Sequence, residues 1–246
     1  MKTTFLAPSF ALLLASSFVL HAEDGGKIVV QRGQKIAFLG DSITAAGARK
    51  GGYCQLVVQT LNKQDLGVLG IYAGISGHKS NQMLARLEAH VLSKKPDWMT
   101  LSCGVNDVWH GARGVALEPY KKNITEIVDR AQAAGVKVML LTSTMIKEDQ
   151  SNGLNQKLVP YNAFLLQLAK EKKCLLADLN ADMQEALKNF PAEAAKGKQL
   201  TRDGVHMNQL GNYMMAKGVL KAFGFTDQEL TAVENDWKTT PKPVKK

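Results

Sequence analysis

Cysteine is scarce: the 246 residues hold three, Cys54, Cys103 and Cys174, with no Cys-x-x-Cys spacing among them. Three thiols cannot all pair within one chain, so a disulfide scaffold is excluded, and a zinc ribbon or dithiol redox centre lacks its ligands. Each is read as a small buried hydrophobe. Proline is also sparse, at seven, and no Pro/Gly-rich linker or internal repeat divides the body, which argues for one domain. After residue 22 no segment reaches the roughly 18 consecutive apolar residues that a spanning helix needs. A His-Glu-x-x-His pair is missing, as is a Gly-x-Ser-x-Gly elbow, so neither a zinc peptidase nor an ordinary α/β-hydrolase is indicated. Disorder, collagen and coiled coil are ruled out by an ordinary globular composition.

An even charge balance is lacking too: the formal charge is +9. The last nine residues hold four lysines and no acid, and the first 22 hold one lysine, so residues 23–237 keep only +4. The remaining cations alternate with acids, as in Lys121-Lys122-Asn123-Ile124-Thr125-Glu126, which reads as a solvated helix face. Nucleic acid is therefore not an expected partner. Asn123-Ile124-Thr125 fits a glycosylation acceptor, but it falls on a predicted helix.

What is present begins with a leader. Lys2 precedes a mostly apolar stretch from Phe5 to Leu20, then His21-Ala22 meets the polar Glu23-Asp24. That pattern predicts a signal peptide over residues 1–22, cleaved near Ala22, with export to the periplasm or medium. Pro8 and interspersed Ser and Ala leave the apolar core short for a membrane anchor. The predicted body is residues 23–236, followed by a basic, flexible tail over 237–246.

Short apolar runs at 36–39, 68–72, 98–103, 136–142 and 174–178 alternate with helical patterns at 53–62, 83–93, 119–134, 158–172, 181–189 and 209–223. Nearly continuous apolar strands suit a sheet covered on both faces. The rhythm predicts an α/β fold, a three-layer α/β/α sandwich with a doubly wound, mostly parallel five-stranded sheet. Ligands in such sheets sit beyond the carboxyl ends of the strands. Residues 143–156 form a longer polar segment after the fourth strand, read as a rim or lid.

Chemistry-bearing residues do follow the strands. Gly40-Asp41-Ser42 leaves the first on a turn that can present a hydroxyl. Ala73-Gly74-Ile75-Ser76-Gly77-His78 leaves the second and Gly104-Val105-Asn106-Asp107 the third. A glycine N–H can approach a ligand closely, and an Asn amide donates without charge, as a developing oxyanion requires. Near the end, Asp203-Gly204-Val205-His206 can bring an imidazole to the site with a carboxylate to hold its tautomer.

These four blocks, in order from about Lys35 to Phe223, resemble the SGNH hydrolases, or GDSL esterase/lipase superfamily. The resemblance implies a flavodoxin-like sheet and a serine esterase that needs no cofactor or metal. It makes Ser42 the nucleophile, His206 its base and Asp203 the residue that orients His206. It makes the N–H groups of Ser42 and Gly77 and the side chain of Asn106 the oxyanion donors. Met207 stands where the family often has Pro, and Tyr72-Ala73 where an Asn often precedes the glycines.

Around this set, His78, Trp109 and His110 are candidate substrate contacts, whereas Trp98 begins a strand and belongs in the core. His90 is read as a surface residue and Arg113 as a solvated loop charge. Asp41 and Asp107 are read as acceptors that brace their loops. The expected activity is hydrolysis of short-acyl esters, such as O-acetyl groups of a carbohydrate, through an acyl-enzyme. Its rate is expected to fall with pH through about 6 to 7, where an ordinary imidazole takes up its proton. The rivals are a lysophospholipase or thioesterase type of acyl hydrolase, an acyltransferase, and a carbohydrate-binding relative. The substrate is expected to be a small-molecule or polysaccharide ester; the sequence carries no indication of oligomeric state.

Overall fold

Five apolar runs become five strands because nearly continuous apolar residues suit a sheet covered on both faces, and the first two end at a glycine, which lets the chain turn. The computed structural model describes residues 27–190 and 198–239. The predicted leader, residues 1–22, lies outside them. In chain order the elements are β1 (Lys35–Gly40), α1 (Ser42–Gly47), α2 (Tyr53–Lys63), β2 (Leu69–Gly74), α3 (Ser80–Ala85), α4 (Leu87–His90), β3 (Trp98–Ser102) and α5 (Val105–Trp109). There follow α6 (Leu117–Ala133), β4 (Lys137–Leu141), α7 (Gly153–Glu171), β5 (Leu175–Ala177), α8 (Leu179–Leu187), α9 (Gln209–Ala222) and α10 (Asp227–Thr239).

The sheet order is β2-β1-β3-β4-β5, with every neighbouring pair parallel. Helices α2, α8, α9 and α10 pack as one layer and α3, α6 and α7 as the other, giving the three-layer, doubly wound α/β/α sandwich. Central β3 is buried at all five positions, whereas edge strand β2 leaves Leu69 and Tyr72 exposed. Helix α6 shows how the pattern works: Tyr120, Ile124, Ile127, Val128 and Ala131 recur at helical spacing and are all buried. Trp98 is in the core, edge-on to Phe223 at 5.3 Å. Among the described residues no helix is long and apolar enough to cross a membrane.

The chain leaves β1 for β2 on one side and then crosses to β3 on the other, so the strand order reverses at β1 and β3. Gly40 lies level with Gly74 of β2 and Ser102 of β3. The loops that follow all three strands therefore start from one line, at the topological switch point where such sheets bind ligands.

Four expectations need correction. The helix expected over 83–93 is broken at Arg86 into α3, α4 and a 3-10 turn, Leu92–Lys94. Arg86 is buried at that break, its guanidinium bonded to the ends of the sheet, and these tertiary bonds, which apolar spacing does not record, go with the interruption of the turn. Helix α7 starts at Gly153, five residues before its predicted start, because Asn152 caps Leu154 N–H through its side chain; Pro160 lies inside the helix. Residues 142–146 are buried, so the first part of the expected rim or lid belongs to the interior. The body does not end at residue 236: α10 runs to Thr239 and buries Trp237 against Tyr213, ring centroids 5.4 Å apart. Residues 240–246 of the expected tail lie outside the described residues.

Candidate active site

Ser42 is the first residue of α1, separated from the end of β1 by Asp41 alone. Asp41 caps that helix, its Oδ1 accepting the Ile43 N–H at 2.9 Å. The N–H groups of a first turn have no carbonyl partner within their helix, so the Ser42 N–H and hydroxyl start from the same exposed edge. The loop that meets Ser42 is a closed excursion between Leu200 and Asn208. It is shut by the antiparallel bridge Thr201–Met207 and by Arg202 N–H donating to His206 O at 2.8 Å.

At the tip of this excursion Asp203 Oδ1 accepts the N–H groups of Val205 at 3.0 Å and His206 at 2.8 Å. Its Oδ2 lies 2.7 Å from His206 Nδ1, and His206 Nε2 lies 2.8 Å from Ser42 Oγ. Partial desolvation pushes the Asp203 carboxyl up, but the bonds from the His206 backbone, the His206 ring and the Val205 backbone outweigh it and hold it at about 2. An ionised Asp203 accepts from Nδ1–H, which leaves the Nε2 lone pair facing the Ser42 hydroxyl. Hydroxyl, imidazole and carboxylate thus form one hydrogen-bonded chain, assembled from residues 164 positions apart.

Asn106 lies in the first turn of α5, and its Nδ2 is 3.2 Å from Asp41 Oδ2 and 3.2 Å from His78 O. Both amide hydrogens are engaged. A developing oxyanion would compete with the neutral His78 carbonyl, and a charged acceptor takes the stronger bond. Gly104, at φ +138°, makes the turn into α5; a Cβ there would come within 2.4 Å of Ser143 Oγ. Gly77 has φ +75° with open space where a Cβ would stand, so its stretch of backbone is uncovered for a ligand.

Two buried carboxyls brace these loops, as the sequence suggested. Burial is the main cause that lifts the Asp41 carboxyl from 3.8 to about 6, against the lowering effect of the Ile43 N–H and the His206 charge. Asp107 is also raised by burial, and it accepts from the Ser80 N–H at 3.0 Å and hydroxyl at 2.6 Å, tying the loop after β3 to α3. Asn123 donates to Ser80 Oγ at 3.0 Å, so the side chain of the Asn123-Ile124-Thr125 match, already discounted for lying on a helix, is engaged here.

Sequence reasoning missed Arg86. Its guanidinium donates to Ala73 O at 2.7 Å, Gly40 O at 2.8 Å and His78 Nδ1 at 3.2 Å, which links the ends of β1 and β2 to the loop beyond. Burial lowers its pKa from the usual guanidinium value. The available signal was an arginine falling between Met83 and Leu87 on the apolar stripe, where a solvated charge does not belong.

Of the candidate contacts, His78 is committed to bracing through Arg86, and burial, then the charges of Arg86 and His90, lowers its pKa. Trp109 closes α5 with 39% of its surface exposed, and His110 follows it at the start of the 3-10 turn Gly111–Arg113. Lys79 Nζ donates to Arg113 O at 2.8 Å and joins the two rims. Cys54 and Cys103 are buried and Cys174 partly so, all three free. Among the described residues no three His, Cys, Asp or Glu side chains are grouped to hold a metal. A cavity of about 440 Å³ opens elsewhere, between α8, α9 and α10, and none of the residues named in this chain of bonds lines it.

Comparison with known proteins points the same way. The model of the GDSL-like Lipase/Acylhydrolase family matches residues 38–213. An acetylxylan esterase of Geobacillus stearothermophilus is 29% identical over 214 residues, covering 78% of this chain and 95% of that protein. The crystal structure of an acetyl xylan esterase, AlAXEase, superposes with a TM-score of 0.71 at 37% identity, covering 76% of this chain and 98% of the other. An α/β hydrolase from the metagenome of Lake Arreo, Spain, has a TM-score of 0.73 at 26% identity, over 80% of this chain and 98% of the other.

Proposed function

This chain belongs to the GDSL-like Lipase/Acylhydrolase family and is a carboxylic ester hydrolase, and from that premise we propose that Ser42 is its nucleophile, His206 its general base and acid, and Asp203 the carboxylate that orients His206. The observation that carries the proposal is the unbroken chain from Ser42 Oγ through both ring nitrogens of His206 to Asp203. In the first step His206 Nε2 takes the Ser42 proton as Oγ attacks the ester carbonyl carbon. The Ser42 and Gly77 N–H groups and the Asn106 amide receive the oxyanion. Collapse breaks the bond to the alcohol, which leaves with the proton from His206. Water, deprotonated by the same imidazole, then releases the carboxylic acid and restores Ser42.

The substrate we propose is a short acyl ester of a carbohydrate, with O-acetyl groups favoured. Support comes from the acetylxylan esterases that this chain resembles and from the exposed Trp109, three residues from Asn106, whose ring can stack on a sugar face. The leader read in residues 1–22 makes export part of the same proposal.

Ser42→Ala should lower turnover by more than about 10³-fold with the fold intact, and a serine-directed phosphonate should add one adduct that maps to Ser42. Turnover within tenfold of wild type, or an adduct elsewhere, would overturn the assignment. On p-nitrophenyl esters from acetyl to palmitoyl, acetyl should be preferred; a preference for long chains would favour a lipid acyl hydrolase instead.

A further inference from the structure

The loop that carries Asp203 and His206 is held from outside by two consecutive residues of a distant segment. Glu148, in the segment after β4, turns its carboxylate toward the start of that loop. Its Oε2 accepts the Gln199 N–H at 2.8 Å. Its Oε1 accepts the Leu200 N–H at 2.9 Å, the Thr201 N–H at 2.6 Å and the Thr201 hydroxyl at 2.6 Å. Thr201 Oγ1 in turn accepts the Gly204 N–H at 3.0 Å, between Asp203 and His206. A second hold comes from the neighbouring residue, where Lys147 N–H donates to Gly204 O at 2.6 Å.

The backbone is shaped for this contact. Lys147 and Glu148 both have left-handed conformations, φ +60° and +52°, although neither is a glycine. Consecutive left-handed residues with side chains are unfavourable and persist where their surroundings over-determine them. The surroundings here are firm: Asn155 of α7 accepts the Ile146 N–H at 2.8 Å and donates to Ile146 O at 2.8 Å and Asp149 O at 2.6 Å. Thr201, at the receiving end, is 1% exposed.

We propose that Glu148 is a positioning residue for ester hydrolysis, a carboxylate clasp that sets the Asp203–His206 loop at hydrogen-bonding distance from Ser42. The route runs from α7 through Asn155 to the 146–149 segment, from Glu148 to Thr201, and from Thr201 to Gly204 between the two reacting partners. A carboxylate suits the task because it offers acceptors only, and four donors converge on it. An amide in its place would turn an NH₂ group toward one set of N–H donors. Loosening the loop separates Nε2 from Oγ and leaves the surface that meets the acyl and alcohol groups in place, so the effect belongs in kcat.

The inference rests on the assignment of Ser42 and His206 above. Glu148→Gln and Thr201→Val, singly and together, are compared with wild type for kcat, KM and the rate at which the phosphonate labels Ser42, well below each protein's melting temperature. Each single variant should lose about ten- to a hundredfold in kcat, with KM within threefold and labelling slowed in parallel. The two losses should not multiply in the double variant, since both act through one link. Values of kcat within twofold of wild type, a change confined to KM, or losses that multiply would overturn the clasp. If Glu148→Gln does not fold, Thr201→Val decides by the same criteria. A clasp that fails while Ser42→Ala is inactive leaves the nucleophile standing; an active Ser42→Ala overturns both.

Discussion

Asp41 does two things at once, capping α1 and holding the Asn106 amide, while buried at 2% exposure. Its folded pKa of about 6 stands above the 3.8 of a free carboxyl, so between those values the native state binds more of this proton than the unfolded one. The stabilising contribution of this proton is therefore complete below about pH 4 and is lost as pH rises through about 6. Asp41→Asn removes the buried charge and keeps an acceptor for the Ile43 N–H. Its melting temperature should rise relative to wild type, and the gain should grow as pH is raised from about 4 to about 7. Activity should move the other way. With two amides facing each other, Asn106 loses its charged acceptor, and kcat should fall by about 10²-fold in steady-state assays. A variant both less stable at neutral pH and fully active would contradict this division. At this scale the sequence singles out Ser42, Asp203, His206, Gly77 and Asn106 as candidates because each residue type is suited to one task. The bond from Asn106 to Asp41 was not legible, because it joins side chains 65 positions apart.

Arg86 acts on elements. Its three bonds fasten the ends of β1 and β2 and the loop that carries Gly77, and it does so from a break between two short helices. Arg86→Met should cost about 3 kcal/mol in chemical denaturation, since it strands buried carbonyls that its guanidinium now satisfies. Arg86→Lys should recover little of this, as one ammonium cannot span acceptors on two strands and a ring. A denaturation midpoint unchanged in either variant would show that the strands need no such fastening. The periodicity of residues 83–93 reads as one helix because apolar spacing records which side faces inward and not where a tertiary bond interrupts the turn. The same limit explains α7: its first turn is held by Asn152 and Asn155, whose partners are local in space but uninformative as a pattern. The 143–156 segment looked like a lid because its residues are polar. Several of those polar atoms are turned onto the protein's own backbone, as Ser143 Oγ is onto Cys103 O at 2.9 Å and Asn155 Nδ2 onto Ile146 O at 2.8 Å.

On the scale of the molecule, α10 closes the face made by α2 and α9. The Trp237 indole N–H donates to Thr60 Oγ1 at 3.3 Å, the Tyr213 hydroxyl donates to Trp237 O at 3.1 Å, and Leu230 is buried. Trp237→Ala should lower stability by about 3 kcal/mol and leave kcat/KM within twofold, because α10 supplies none of the groups around Ser42. A large loss of activity at unchanged stability would refute that separation. The sequence by itself determined the architecture, since alternating apolar runs and amphipathic helices admit few packings, and it singled out the residues that we propose as the reacting groups, since their chemistry resides in residue type. Tertiary structure alone decided how those groups are held. The parallel register brings Gly40, Gly74 and Ser102 level. Buried Arg86 and Asp41 take partners that no local spacing announces, and Glu148 reaches across some fifty residues to the loop of Asp203 and His206. A hydrogen bond between distant segments depends on where packing puts both ends, and packing is a property of the whole chain.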